Sequence, residues 1–213
     1  ICIMSAPTYP LTMPTSPAFT DTKFSLQRQV GINSSPFTGN QQVYEHSMAL
    51  WKAVVTLPPM KRDQAGQWHS FFMKLHGIRG TFLLGDQDGK NPLGAISTSA
   101  TVTLASNESI GDYQVALTGV GASVTNVFKE GDYIQIGTGA NAKLHMIVSD
   151  ANSDGSGNVT VNIEPSLKVA HTSGTSVVIT NTKGLFRMDD NELGWSANRV
   201  SVYGLSFSCT EVF

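Results

Sequence analysis

Between Thr101 and Ile179 the chain passes through six short stretches in which apolar residues recur at every second position, each ended by Gly, Asn, Asp, Ser or Pro. No segment of that interval reads as an amphipathic helix. A period of two belongs to strands, whose side chains alternate between faces, so this stretch is confined to a small all-β unit. The runs are Thr101–Leu104, Tyr113–Leu117, Tyr133–Ile136, Leu144–Val148, Val159–Ile163 and Ser176–Ile179. Val159, Val161 and Ile163 alternate with Thr160 and Asn162, and Ile134 and Ile136 with Tyr133 and Gln135, which predicts one buried and one wet face per strand. Six strands at this spacing predict a small barrel or sandwich.

The flanks differ. Residues 1–17 carry Pro7, Pro10, Pro14 and Pro17 among Ser and Thr and read as an extended arm that orders only against a neighbour. Met4 reads as a start preceded by three extra residues. Phe19–Val30 reads as a strand with Phe24 and Leu26 on one face, Gly31–Asn40 as a loop, and Gln41–Leu57 as a long strand burying Ala49, Trp51, Ala53, Val55 and Leu57, stopped by Pro58-Pro59. A helix follows over Arg62–His76. Ala65, Trp68, Phe72 and Leu75 make its apolar stripe, Gly77 its C-terminal stop, and Asp63, Lys74 and His76 complement its dipole. Thr81–Leu84 is a short strand before the turn Gly85–Gly89. The tail, Ala197–Phe213, is again strand-like, with Val200 and Val202 in one phase, Leu205, Phe207 and Cys209 in the other, and a bulge expected at Gly204.

The fold class expected is therefore mainly β: a helix-bearing β-sandwich over 18–93 and 184–213, discontinuous, with an inserted β-barrel or sandwich over 94–183. Trp51, Trp68, Phe72, Leu75, Leu205 and Phe207 are its expected core. The tail strand is expected to be supported by the long strand and helix of the first ninety residues, and the long strands Gln41–Leu57 and Ala197–Phe213 are expected to present edges that neighbouring copies cover.

Composition narrows the function. The 213 residues are 40% apolar and only 14% charged, where about 25% is ordinary, and Ser, Thr, Asn and Gly make up roughly a third. Disorder is excluded, because the chain has neither few apolar residues nor a high net charge. A net charge of −2 offers no basic stripe for phosphates, which argues against nucleic-acid binding. No run approaches the ~18 apolar residues of a membrane span, and the opening lacks the features of a signal peptide, so a soluble protein made in a cytoplasm is expected. Cys2 and Cys209 read as free thiols and not as a disulfide framework. The Asn-x-Ser/Thr triplets at Asn33, Asn107 and Asn158 carry no weight outside a secretory route.

The candidate chemistry is sparse. Asp150, Asn152 and Asp154, followed by Gly155, match the first half of a calcium loop, but Val161 stands where its bidentate Glu belongs, and a polar hairpin turn over Asp154–Asn158 is the better reading. Gly119-Val-Gly121 and Gly137-Thr-Gly139 open no helix and read as turns, not phosphate loops. The histidines at 46, 69, 76, 145 and 171 lack metal-site spacing, and His69 and His76 suit a solvent-facing or helix-end role. No nucleophile elbow occurs, and Asp189-Asp190 with Glu192 read as an exposed turn. No catalytic, cofactor or metal site is assigned, and no cofactor is expected.

Three stretches share a layout with a known family: WKAVVTLPPMKRDQAGQWHSFFMKLHGIRGTFLLGD (Trp51–Asp86), FKEGDYIQIGTGANAKLHMIVSDANSDGSGNVTVNIEPSLK (Phe128–Lys168) and YGLSFSCTEVF (Tyr203–Phe213), together about two fifths of the chain. In these the chain resembles bacteriophage distal tail proteins, which close the end of a siphophage tail tube. The resemblance implies a structural virion protein and not an enzyme: a homohexameric ring at the tail tip or baseplate, made in the host bacterial cytoplasm. Its implied partners are the tail tube protein, the hub and other tip proteins, with DNA only as cargo passing through the lumen and no membrane. The chain departs from longer relatives in having no room for a large C-terminal carbohydrate-binding domain. Two alternatives stand beside this reading: a tail-tube or tail-completion subunit, and a carbohydrate-binding module in which Trp195, Tyr203 and the Asp189–Glu192 turn face a sugar.

Overall fold

The computed structural model describes residues 7–192, 194, 196–197 and 203–212. The expectations for Cys2, Met4, Trp195, Val200 and Val202 fall outside them. The fold is mainly β: β1 (Asp21–Ser34), β2 (Gln41–Met60), α1 (Arg62–Leu75), β3 (Thr81–Leu84), β4 (Val102–Leu104), β5 (Gln114–Thr118), β6 (Tyr133–Ile136), β7 (Lys143–Ile147), β8 (Asn158–Glu164), β9 (Ser176–Val178), β10 (Gly184–Met188), β11 (Ser196–Ala197) and β12 (Tyr203–Glu211). One sheet runs β1-β2-β12-β10-β3, with β11 on β12, and the six strands β4-β5-β8-β7-β6-β9 close into a barrel. Of the two forms expected for residues 94–183, the barrel is the one that forms.

The sheet takes α1 as its second layer. On β2, Ala49, Trp51, Ala53, Val55 and Leu57 are buried, as period-two spacing requires, and on β12 Leu205, Phe207 and Cys209 are buried beside them. Helical spacing turns Ala65, Trp68, Phe71, Phe72 and Leu75 onto this face. The Trp68 ring meets Phe71, Phe72 and Phe207 with centroids 6.0–6.4 Å apart, distances at which tilted and edge contacts add to burial. Truncating fully buried Trp68 to Ala costs about 3–5 kcal/mol on this packing.

Three boundaries differ from expectation. Pro58-Pro59 does not stop β2, which continues to Met60. β1 pairs only as far as Thr56, and the β12 register shifts between Tyr203 and Leu205, so both prolines lie where ladder donors are not required. That shift is the irregularity expected at Gly204. The helix ends before Gly77, because His76 already takes the left-handed conformation (φ 55°, ψ 47°). Gly77 is left-handed too, at φ 67°, and a Cβ there would lie 2.5 Å from Asn191 Oδ1, which accepts the Ile78 N–H at 3.1 Å. The loop expected over 31–40 shrinks to 35–40.

The barrel is inserted between neighbours. Chain leaves the sheet after Leu84 and returns at Gly184, and these two residues pair directly in the ladder between β3 and β10. The insertion therefore leaves the sheet unbroken. β10 was not expected as a strand, because Gly184, Leu185, Phe186 and Met188 are all buried and its faces show no alternation to read. The outer faces of β6 and β7 are not wet either. Leu144 and half-buried Tyr133 and Met146 pack into the sheet's core, Trp51 Nε1 donates to the Leu144 carbonyl at 2.9 Å, and the Tyr133 and Trp51 rings lie 6.0 Å apart.

The edges are also placed differently. β2 lies between β1 and β12, and β12 between β2 and β10, so the two long strands expected to need neighbours are central. The sheet's true edges are β1 and β3. The arm covers part of β3 within the same chain: Leu11 bridges Phe82 and donates its N–H to the Thr81 carbonyl at 2.8 Å, while the Tyr9 hydroxyl donates to the Lys74 carbonyl at 3.0 Å. Tyr9, Leu11 and Met13 pack against the core, so this part of the arm orders without a neighbour.

Candidate assembly surface

β1 and β2 form a long hairpin that outruns the body. From Gln27 to Met48 every residue with a described side chain is exposed except half-buried Ser35. At ~3.3 Å per residue the six-residue span from Arg28 to Ser34 carries the tip roughly 20 Å beyond the last buried pair. The connection is tight. Ser35 N–H donates to the Asn40 carbonyl and Gly39 N–H to the Ser35 carbonyl, with Gly39 at φ +70°.

The tip chemistry is unusual for an exposed edge. The 16 residues from Gln29 to Tyr44 contain no Asp, Glu, Lys, Arg or His. Ile32 and Val43 sit opposite each other in the register, so they share a face, and they are 66% and 58% exposed; Phe37 at the turn is 95% exposed. Val30, Tyr44 and Met48 add to the apolar surface. Edge strands that face water are ordinarily defended by charges, prolines or covering segments, and β1 has no strand partner on its outer side among the described residues. A two-stranded ribbon without a packed face is marginal in water. Full burial of each large apolar side chain contributes about 1.5–3 kcal/mol, so the tip is a surface with much to gain from contact.

The base of the hairpin is fixed electrostatically. At the register shift between Arg28 and Val30, the Arg28 guanidinium pairs with Glu45 across the hairpin at 2.9 Å and with Glu164 on β8 at 2.7 Å. These two carboxylates raise the Arg28 pKa, hydrogen bonding to Glu164 being the largest cause. Arg28 is half-exposed, so the pairs contribute little to stability; they link the base of the hairpin to β8 of the barrel.

The six core residues expected from sequence, Trp51, Trp68, Phe72, Leu75, Leu205 and Phe207, are all buried. The calcium-like oxygens do not converge. Asp150 accepts from Glu130 N–H and Asn152 from Asn126 N–H, both in the β5–β6 connection, while Asp154 accepts from the N–H groups of Ser156 and Asn158 in its own turn, so each is committed to a different donor. Those hydrogen bonds hold the Asp154 carboxyl below its ordinary pKa. Among the described residues no group of three His, Cys, Asp or Glu is placed to hold a metal ion, and no helix is long and apolar enough to cross a membrane.

The remaining candidates scatter. Gly119, Gly121, Gly137 and Gly139 all have positive φ, as turns demand. His69 is half-buried with its ring against Tyr203, His76 ends the helix exposed, and His46 is exposed on the hairpin. Tyr203 is thereby half-buried, while Asp189 accepts from the Thr210 hydroxyl at 2.5 Å. Asp190 and Glu192, with Ser206 and Ser208, line a shallow cavity of about 260 Å³. Cys209 is a free, buried thiol directed at the Ala53 carbonyl, and burial raises its pKa. The hairpin tip is the feature that sequence reasoning missed. Treating 31–40 as a loop hid it, and the run of 16 uncharged residues was the signal that pointed there. No protein-family model matches the chain, and no curated protein matches it.

Proposed function

We propose that this chain is a structural subunit of a bacteriophage tail, one of six that close into a ring at the distal end of the tube, with the β1–β2 hairpin as the arm that engages the next copy. The observation that carries the assembly reading is the uncharged, apolar, projecting hairpin, which water alone stabilises poorly. The resemblance of Trp51–Asp86, Phe128–Lys168 and Tyr203–Phe213 to distal tail proteins supplies the location. In this reading the ring joins tube to tip proteins, DNA passes through its lumen, and the chain performs no catalysis. It is made in the host cytoplasm and resides in the virion.

Electron microscopy and mass photometry of the purified chain test this. The expected result is a six-fold ring at micromolar concentration, lost in an Ile32→Ser, Phe37→Ser double variant whose melting temperature is unchanged, since both side chains are exposed in the monomer. A wild-type chain that stays monomeric overturns spontaneous ring formation. Particles carrying many stacked rings of the chain move it from the tip to the tube.

A further inference from the structure

One end of the barrel is closed by residues from four other parts of the fold. In the β6–β7 register Lys143 lies opposite Ile136 and His145 opposite Ile134, so both point to the side on which the barrel's own core lies. The strap that follows β8 crosses this end: the Pro165 carbonyl lies 2.7 Å from His145 Nδ1, and Lys168 and His171 follow on the same segment. The last residues of β12 close over it. Glu211, its side chain fully buried, pairs with Lys168 at 2.5 Å and accepts the Trp51 N–H of β2, while Lys143 Nζ donates to the Val212 carbonyl and the Val212 N–H to Leu185 of β10. His145 Nε2, His171 Nε2 and Glu211 Oε1 are buried without a hydrogen-bond partner.

We propose that this junction is an acid-released latch: protonation of His145, supported by His171, frees the Thr210–Val212 segment from the barrel end before the barrel or the sheet unfolds. The titratable groups acting on His145 are Lys168 and His171 on the strap and Lys143 on β7, and Lys143 also acts on His171; Glu211 of β12 meets this set through its pair with Lys168. Nearby Glu108 is occupied by Ser106 and by the Ala116 N–H, Glu164 by Arg28, and Arg187 on β10 is exposed. A new charge on His145 would thus form in a dry site beside two lysines, without a polar partner at Nε2. Both lysines hold the segment, Lys143 at the Val212 carbonyl and Lys168 at Glu211, so their repulsion from that charge falls on the segment's two ties.

Burial, reinforced by Lys168, His171 and Lys143, lowers the His145 pKa to about 3 in the closed state, with only the Pro165 carbonyl opposing. His171 is lowered by the same causes, burial first and Lys143 second. Above pH ~6.5 both histidines are neutral whether the latch is open or closed, and closure is unaffected. As pH falls below that value the open state takes up a proton that the closed state refuses, and closure weakens until the pH reaches the closed-state value. For His145 alone the open population rises about tenfold per pH unit, or about 100-fold at pH 4.5.

Hydrogen exchange of the whole chain, corrected for intrinsic rates between pH 7.5 and 4.5, tests the latch. Peptides ending at Val212 are expected to open about 100-fold more often at pH 4.5 and, at every pH, more often than peptides from β5 and β8. His145→Gln is expected to flatten that profile; if this variant does not fold, His171→Gln is expected to reduce its slope. A pH-independent opening of the 210–212 segment overturns the proposal. So does exchange at which this segment and the barrel strands share one opening constant at each pH, since that is global unfolding.

Discussion

Leu144→Ala is the substitution that best tests how the two parts of this molecule are joined. Leu144 belongs to the barrel by sequence and to the sheet by contact: it sits on β7, is fully buried, and packs into the cluster of Trp51, Phe186 and Phe207. Truncation of a fully buried leucine costs about 2–5 kcal/mol, and neighbours this rigid and aromatic collapse poorly, which places the expected loss near 3 kcal/mol. At ~2.1 cal/mol/K of unfolding entropy per residue, that lowers the melting temperature of a 213-residue chain by about 7 °C. The position adds a second expectation. Removing a joint residue weakens coupling between barrel and sheet without hollowing the barrel's own core, so calorimetry should resolve two transitions for the variant and one for the wild type. Val161→Ala is the control, since Val161 is buried wholly inside the barrel and its loss should lower the melting temperature while leaving a single transition. A Leu144→Ala chain that loses less than about 1 kcal/mol, or that still melts in one two-state transition, refutes the view that this side chain couples the two parts.

Two further outcomes follow from the same geometry. Gly85→Ala places a Cβ 1.9 Å from the Thr182 carbonyl oxygen, where chain leaves the sheet beside the segment returning to it; backbone must move, and denaturant melts should show a loss of about 3 kcal/mol or more. Calcium at millimolar concentration should leave the thermal midpoint unchanged, because Asp150, Asn152 and Asp154 are already committed to separate backbone N–H donors; a rise of several degrees would mean that these oxygens can be brought together.

Periodicity made the local structure legible. Six runs alternating at period two became six barrel strands within a residue or two of their expected ends, and the Ala65, Trp68, Phe72 and Leu75 stripe became the buried face of the single α-helix among the described residues. These features are local: a side chain's face follows from its place in a repeat of 2 or 3.6, whatever it packs against. β10 escaped notice because burial on both sides erases the alternation, and the wet faces expected of β6 and β7 were covered by a sheet that the barrel sequence does not encode.

What only the tertiary structure decided was the order and register of pairing across distance. The tail strand over Ala197–Phe213 was expected to lean on the long strand and helix of the first ninety residues, and β12 does pair with β2, nearly 150 residues away in the chain; the structure adds the register and places both strands inside the sheet. That pairing moved the exposed edge from β2 and β12 to β1 and revealed an uncharged hairpin where a loop was expected. It also brought Glu211 to Lys168 and Lys143 at the barrel's end. A sequence specifies which residues are strand and which face is apolar, because those depend on neighbours in the chain. Which edge stays open, and which titratable groups meet in a dry site, depends on contacts between segments that no local pattern records.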